Sequence, residues 1–192
     1  MDDQDEFDAL LSAASAGDEA ALGALYRAYQ PSVVRFLAGL VPGEAEDLAS
    51  DTWIDLSRNL GSFEGGEQEF RRLLFTIARR RAIDHGRKRQ RRRTEPADMS
   101  GHTEIKAGGD LAEIIAELDS SHRAVRQITQ LIPRPQAEVI LLRVVGGLSV
   151  SEVAKIVGKS PGAVSVLQTR GLQRLAAKIG DPARWARDSE PR

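Results

Sequence analysis

FRRLLFTIARRRAIDHGRKRQRRR, Phe70–Arg93, is the stretch on which the reading of this chain turns. Phe70, Leu73, Leu74, Ile77 and Ala78 recur at helical spacing, so one stripe of an amphipathic helix faces a core. Around that stripe stand Arg71, Arg72, Arg79, Arg80, Arg81, Arg87, Lys88, Arg89, Arg91, Arg92 and Arg93, opposed only by Asp84. A helix this positive repels itself and is stabilised by a polyanion lying alongside. A solvated basic face accounts for the same charges. What favours nucleic acid is that the run emerges from an apolar stripe, which a core holds rigid.

Working outward, the chain of 192 residues has a formal net charge of −1 that conceals an uneven layout. Acid dominates the first seventy residues or so and the middle, whereas base dominates Arg71–Arg93 and is frequent after Arg134. Such asymmetry is common in nucleic-acid binding proteins. The chain has no cysteine, which excludes disulfides and thiolate metal sites. The acidic start MDDQDEFDAL lacks the basic-then-apolar order of a signal peptide, and no apolar run approaches membrane-spanning length. The expectation is a soluble cytoplasmic protein with no membrane insertion and no cofactor.

Before the basic stretch, Phe7, Leu10 and Leu11 predict a short helix that Ala16-Gly17 breaks, and Asp18 is a good N-cap for the next one. From Glu19 to Leu40 the apolar residues keep a helical period, with Pro31 predicting a kink or break near Tyr29–Gln30. A third helix, about Glu44–Leu60, has Ala45, Leu48, Ala49, Thr52, Trp53, Leu56 and Leu60 as its core stripe. On another side Asp47, Asp51 and Asp55 recur every four residues with Ile54 nearby. Like charges at that spacing are mildly unfavourable. Solubility explains them, and so does docking to a basic partner. After the glycine-rich loop GSFEGGEQE and the basic helix, residues 94–109 lack any period and read as a linker.

The second half predicts four more helices, the first from Leu111 through Ile128 to Leu131. Gln136–Val145 is apolar and ends at Gly146-Gly147. Ser149-Val150-Ser151-Glu152 has the capping-box pattern, Gly158-Lys159-Ser160 is a turn, and Pro161 opens a last helix with Val164, Leu167, Leu172, Leu175 and Ile179 inward. A short capped helix, a turn with glycine and a longer helix make the helix-turn-helix pattern, whose second helix reads the major groove. A helical hairpin with no role on DNA shows the same pattern.

Together the two halves resemble a bacterial RNA polymerase sigma factor of the extracytoplasmic-function type, group IV of the sigma-70 family. Ala45–Leu56 (AEDLASDTWIDL) resembles the family's region 2.2, with Asp47, Leu48, Asp51 and Trp53 in register and Ser50 where glutamine is usual. Phe70–Arg89 resembles regions 2.3 and 2.4, with Leu73 where tryptophan is frequent. Leu131–Leu175 resembles region 4, although Ser165, Val166 and Leu167 stand where many relatives carry a basic residue.

The resemblance implies an all-α fold of two small helical domains. These are residues 1–93 for core polymerase and the −10 element, a linker at 94–117, residues 118–180 for the −35 element, and a tail at 181–192. It implies a transcription initiation factor, not an enzyme, with core RNA polymerase (β′ clamp helices and β flap) and promoter DNA as partners. Many relatives are held by an anti-sigma factor, a partner the sequence alone neither requires nor excludes. Asp47, Leu48, Asp51, Trp53, Ile54 and Asp55 would meet the clamp helices. The loop Gly61–Glu69 would line the pocket for a flipped −10 base, with Phe63 as a stacking or packing group there or as a core plug under the loop. Arg71, Arg72, Arg79, Arg80, Asp84, Arg87 and Arg89 would hold the opened strand. Ser160, Gly162, Ala163, Ser165, Val166, Thr169, Arg170 and Arg174 would lie on the −35 element.

Two rival readings remain at this point: a helix-turn-helix regulator that binds DNA without polymerase, and a helical scaffold that makes protein contacts only. Catalysis has no foothold, because His85, His102 and His122 lie in unrelated contexts and no nucleophile or phosphate loop accompanies them.

Overall fold

The computed structural model describes residues 3–92, 125–126 and 129–179, and every element among them is a helix. The linker and tail segments, and most of the helix expected over 111–131, lie outside the described residues. The helices are α1 (Asp3–Ser15), α2 (Glu19–Leu40), α3 (Ala45–Leu60), α4 (Glu67–Arg92), α5 (Arg134–Val144), α6 (Val150–Val157) and α7 (Pro161–Ile179).

Local chemistry explains most of the boundaries. The Asp18 carboxylate accepts from the backbone N–H of Ala20 and Ala21, satisfying donors that the first turn of α2 leaves open. Ser149 and Glu152 form the reciprocal capping box of α6, Gly158 ends that helix in the left-handed conformation, and the Ser160 hydroxyl accepts from the Ala163 N–H. The expected break at Pro31 does not occur: α2 runs unbroken through it. The proline forfeits one backbone hydrogen bond, but Val33, Phe36 and Leu37 beyond it are fully buried. Burial at roughly 1.5–3 kcal/mol per large side chain outweighs the proline's ~3 kcal/mol.

Helices α1 to α4 surround a core containing Leu25, Phe36, Leu56, Phe70, Leu74 and Phe75. Phe36 and Phe75 meet edge to face at 5.4 Å. In the same continuous core lie Val139, Leu142, Leu148, Val153 and Val164 from α5 to α7 and their connections. The halves expected as separate domains are thus packed against one another, α5 on α2 and α6 on α4. A smaller cluster of Ile132, Ala137 and Leu175 sits within the second half.

One expected core position is displaced by one residue along the helix. Leu172 is 47% exposed, and Gly171 is buried in its place. A Cβ at Gly171 would lie 2.7 Å from Ile140 Cδ1 and 3.2 Å from Gln136 Cβ, so α5 and α7 approach closely only without a side chain there. Gly171→Val should therefore lower stability by about 1–3 kcal/mol, the usual cost of overpacking. Thermal unfolding of the full chain measures it, and an unchanged melting temperature would remove Gly171 from the contact.

Candidate protein and nucleic-acid interfaces

Helix α3 divides its predicted docking residues between core and surface. Leu48 and Trp53 are buried, and the Trp53 Nε1–H donates to Gln30 Oε1 at 2.7 Å. They orient the helix, while Asp47, Asp51 and Ile54 stand exposed on it. Tyr26 of α2 is 40% exposed with its ring 5.2 Å from that of Trp53. It extends the apolar part of this face beyond α3. Ser50, the residue that departs from the usual motif, turns its hydroxyl back to donate to the Glu46 carbonyl of its own helix.

The acidic stripe already has a basic neighbour, which spacing within α3 could not reveal. Arg81 of α4 donates from Nε to Asp55 Oδ2 at 2.8 Å, its Nη2 lies 2.5 Å from Asp55 Oδ1, and Nη1 lies 3.6 Å from Asp51 Oδ2. The Asp55 hydrogen bond, reinforced by the charges of Asp55 and Asp51, holds the Arg81 guanidinium above its ordinary pKa despite partial burial. Asp55 is thus a strut between α3 and α4, and the charge that remains outward belongs to Asp47 and Asp51.

On α4 the expected strand-binding cations fall into three settings. Arg80 and Arg87 flank Asp84 at 3.8 and 3.7 Å with their side chains 80% and 70% exposed, so that aspartate offsets them weakly and leaves them available. Arg72 is half-buried beside the loop, and Arg89 is exposed. Arg71 is engaged locally: its Nε donates to Glu67 Oε1 at 2.9 Å, and its guanidinium lies 5.4 Å from the centre of the Tyr29 ring. The Tyr29 hydroxyl donates to the same Glu67 oxygen at 2.8 Å. Burial and that hydrogen bond push the Tyr29 phenol up to about 12. Burial alone would raise the Glu67 carboxyl, but the hydrogen bonds from Tyr29 and Arg71 and the Arg71 charge outweigh it and hold the carboxyl below its ordinary value. Arg79 is the third setting, tied to the second half: its Nε donates to Glu138 Oε1 at 2.8 Å and its Nη1 to the Ile156 carbonyl at 3.2 Å. His85 is half-buried, with Nε2 enclosed and without a hydrogen-bond partner among the described residues.

Phe63 serves as a packing group and as a wall. Its ring meets Phe70 edge-on at 6.3 Å, and Phe70 in turn meets Tyr29 at 5.3 Å and Phe7 of α1 at 5.7 Å. The N-terminal helix thereby buttresses the loop, a role that its acidic composition did not signal. The exposed side of Phe63 lines a groove of about 310 Å³ with Glu69, Arg72, Leu73, Thr76, Lys155 and Ile156.

The predicted reading helix α7 presents Ser160, Gly162, Ser165, Val166, Thr169, Arg170 and Arg174 on its surface, with Ala163 half-buried. Val166 is 47% exposed. The Ser165 hydroxyl donates to the Pro161 carbonyl at 3.1 Å, which leaves its oxygen free to accept. Arg143 fixes this helix relative to α5 and the preceding connection by donating to Gln168 Oε1 at 3.3 Å and to the Leu148 carbonyl.

Comparison with known proteins bears on these surfaces. A family model described as Sigma-70 region 2 matches residues 25–92, and one described as Sigma-70, region 4 matches residues 122–175. The chain is 34% identical over 178 residues to the ECF RNA polymerase sigma factor BldN of Streptomyces coelicolor, an alignment covering 91% of this chain and 66% of BldN. It is 32% identical over 182 residues to the ECF RNA polymerase sigma factor SigD of Mycobacterium tuberculosis, covering 91% of this chain and 84% of SigD. Its fold is similar to that of the sigma factor RpoE co-crystallised with the anti-sigma factor NepR from Bartonella quintana. That match has a TM-score of 0.61 at 23% identity and covers 82% of this chain and 96% of RpoE.

Proposed function

The chain belongs to the extracytoplasmic-function group of the sigma-70 family, initiation factors that bind core RNA polymerase and direct it to promoters, and from that premise we propose how its residues divide the work. Asp47, Asp51 and Ile54, with Tyr26 beside them, form the surface for the basic β′ clamp helices. Asp55 holds that surface to α4 through Arg81. Arg72, Arg79, Arg80, Arg87 and Arg89 track the phosphates of the opened −10 strand, while the groove beside Phe63 takes an unstacked base. The exposed N-terminal half of α7 lies on the −35 element, and Val166 is suited to a thymine methyl group.

The observation that carries this reading is the separation of opposite charges on one scaffold. Carboxylates and Ile54 point outward from α3, cations point outward from α4, and the reading helix α7 keeps its own free face. A regulator acting alone has no use for the first of these surfaces, and a scaffold has no use for the other two. The protein works where polymerase and promoters are, in the cytoplasm. An anti-sigma partner, of the kind that RpoE of Bartonella quintana has in NepR, is part of the same proposal.

In vitro transcription with core polymerase on a promoter library, paired with gel shifts, tests the assignment. Promoter-specific transcripts and a stable shift should require chain and core together. A tight shift by the chain alone would replace the reading with a regulator, and no shift in any mixture would leave a scaffold.

A further inference from the structure

Phe63 borders a second groove, separate from the one it shares with Arg72 and turned toward α1. It holds about 290 Å³, and in it Asp8, Leu11, Ser12 and Ser15 of α1 face Phe63 and Gly65 of the loop. Leu11 is buried and Phe63 half-buried, so the floor and one wall are apolar. Asp8 and Ser12 are exposed, and the helical spacing of Asp8, Ser12 and Ser15 lines them along a single face as a polar rim. A Cβ at Gly65 would lie 2.7 Å from Glu69 Cβ and 3.3 Å from Phe63 Cζ, so the loop closes on the ring only with glycine there.

An aromatic wall, an apolar floor and a polar rim suit an unstacked base, which needs a face to stack on and partners for its Watson–Crick edge. The rim selects the base. A carboxylate only accepts, and with about four lone-pair sites it can receive new donors besides a contact within the protein. Guanine presents two adjacent donors, N1–H and N2–H, that match two carboxylate oxygens, and beside them O6 accepts from a serine hydroxyl. Thymine has one donor between two acceptors, and adenine and cytosine each set one amine beside a ring nitrogen that a carboxylate repels. Asp5, three residues before Asp8, and Glu64, next to Phe63, are exposed carboxylates that repel the phosphate of a free nucleotide. On a strand, by contrast, the phosphates are held by the cations of α4. We propose that this groove takes a guanine of the opened strand, with Phe63 as its stacking wall and Asp8 as the residue that specifies it. The inference rests on the reading of the Phe63 loop as the place where the −10 strand is unstacked, and adds a second base with a reader on α1.

The test uses the full chain with core polymerase on promoter DNA with a pre-opened −10 bubble, each non-template position carrying the four bases in turn. Binding read by fluorescence anisotropy should show one position at which guanine exceeds the other bases roughly tenfold, the order of one bidentate base contact. Inosine there, which lacks the N2 amine, should forfeit most of that advantage. Asp8→Asn replaces one acceptor oxygen by a donor and should bring the preference near unity in a chain that unfolds at the parent's temperature. Ser12→Phe, at an exposed helical position, fills the groove and should do the same while core polymerase still binds. A guanine preference that survives both substitutions, or no guanine-preferring position in the parent, overturns the proposal. Displacement of the strand by guanosine monophosphate also overturns it, because the groove would then belong to a free nucleotide. Failure of the underlying reading looks different: Phe63→Ala would then alter base preference at no −10 position. If Phe63→Ala does alter it and Asp8→Asn does not, only the reader on α1 falls.

Discussion

Core polymerase should no longer co-purify with the chain once Asp47 and Asp51 are both arginine. Both side chains are exposed on α3, and neither makes a close hydrogen bond that the fold depends on, since Asp51 approaches Arg81 no nearer than 3.6 Å. The Asp55 strut remains in place in the double variant. Reversal puts two like charges against a basic partner, and at several kcal/mol such juxtaposition should weaken association by roughly a hundredfold or more. Pull-down with purified core, alongside thermal unfolding to establish that the variant is folded, makes the measurement. Retention of core by the folded variant would move the docking surface elsewhere. Asp55→Arg is the instructive companion. It should lower the melting temperature as well as binding, because it sets arginine against Arg81 across the α3–α4 joint.

That contrast between Asp51 and Asp55 marks where sequence reading runs out. Period, caps and turns are local, and what depends on them was legible. Asp18, the Ser149/Glu152 box and Pro161 act within four residues of their own position, and each helix they delimit begins where its pattern says. The apolar stripes of α3 and α4 predicted Leu56, Phe70 and Leu74 as buried. Phe75 escaped because it lies off the stripe drawn through Phe70, Leu74 and Ala78, on the side where α2 brings Phe36. Gly171 and Leu172 exchanged places because a one-residue rotation of α7 hardly changes its own period. Only the approach of Ile140 and Gln136 decides between them.

Charge is less legible still. The stripe on α3 and the cations on α4 were each visible, but Arg81 could be matched to Asp55, or Arg79 to Glu138, only once the helices were packed. A side chain's formal charge is written in the sequence, whereas its availability depends on which neighbour the fold delivers. For that reason the basic helix cannot be treated as a uniform array of phosphate contacts. Arg81 and Arg79 are committed in the packed chain, and Arg71 is shared with Glu67 and Tyr29.

Arg72 and Arg80 are therefore the cleaner pair for testing strand contact. Among the described residues neither makes a hydrogen bond or ion pair to the second half, and the one ion pair that Arg80 makes there is a long, exposed one to Asp84 on its own helix. Alanine at both positions should leave stability and core-polymerase affinity nearly unaltered. Binding of the reconstituted holoenzyme to promoter DNA with a pre-opened −10 bubble should weaken, and weaken most at low salt. Each lost contact with a single strand removes ~0.7 from the slope of log K against log salt, so two should flatten it by about 1.4. Between about 50 and 200 mM salt the gap between parent and variant should accordingly narrow by about sevenfold. The loss should be nearly the same for different −10 sequences, because phosphate contacts position the strand without reading it. Substitution of Phe63 should do the reverse, changing the preferred base with little change in slope. A salt titration with both variants on two −10 sequences distinguishes these outcomes. If the arginine variant binds weakly with an unaltered slope, Arg72 and Arg80 do not touch phosphate, and the strand must leave α4 on the side where Arg79 and Arg87 stand.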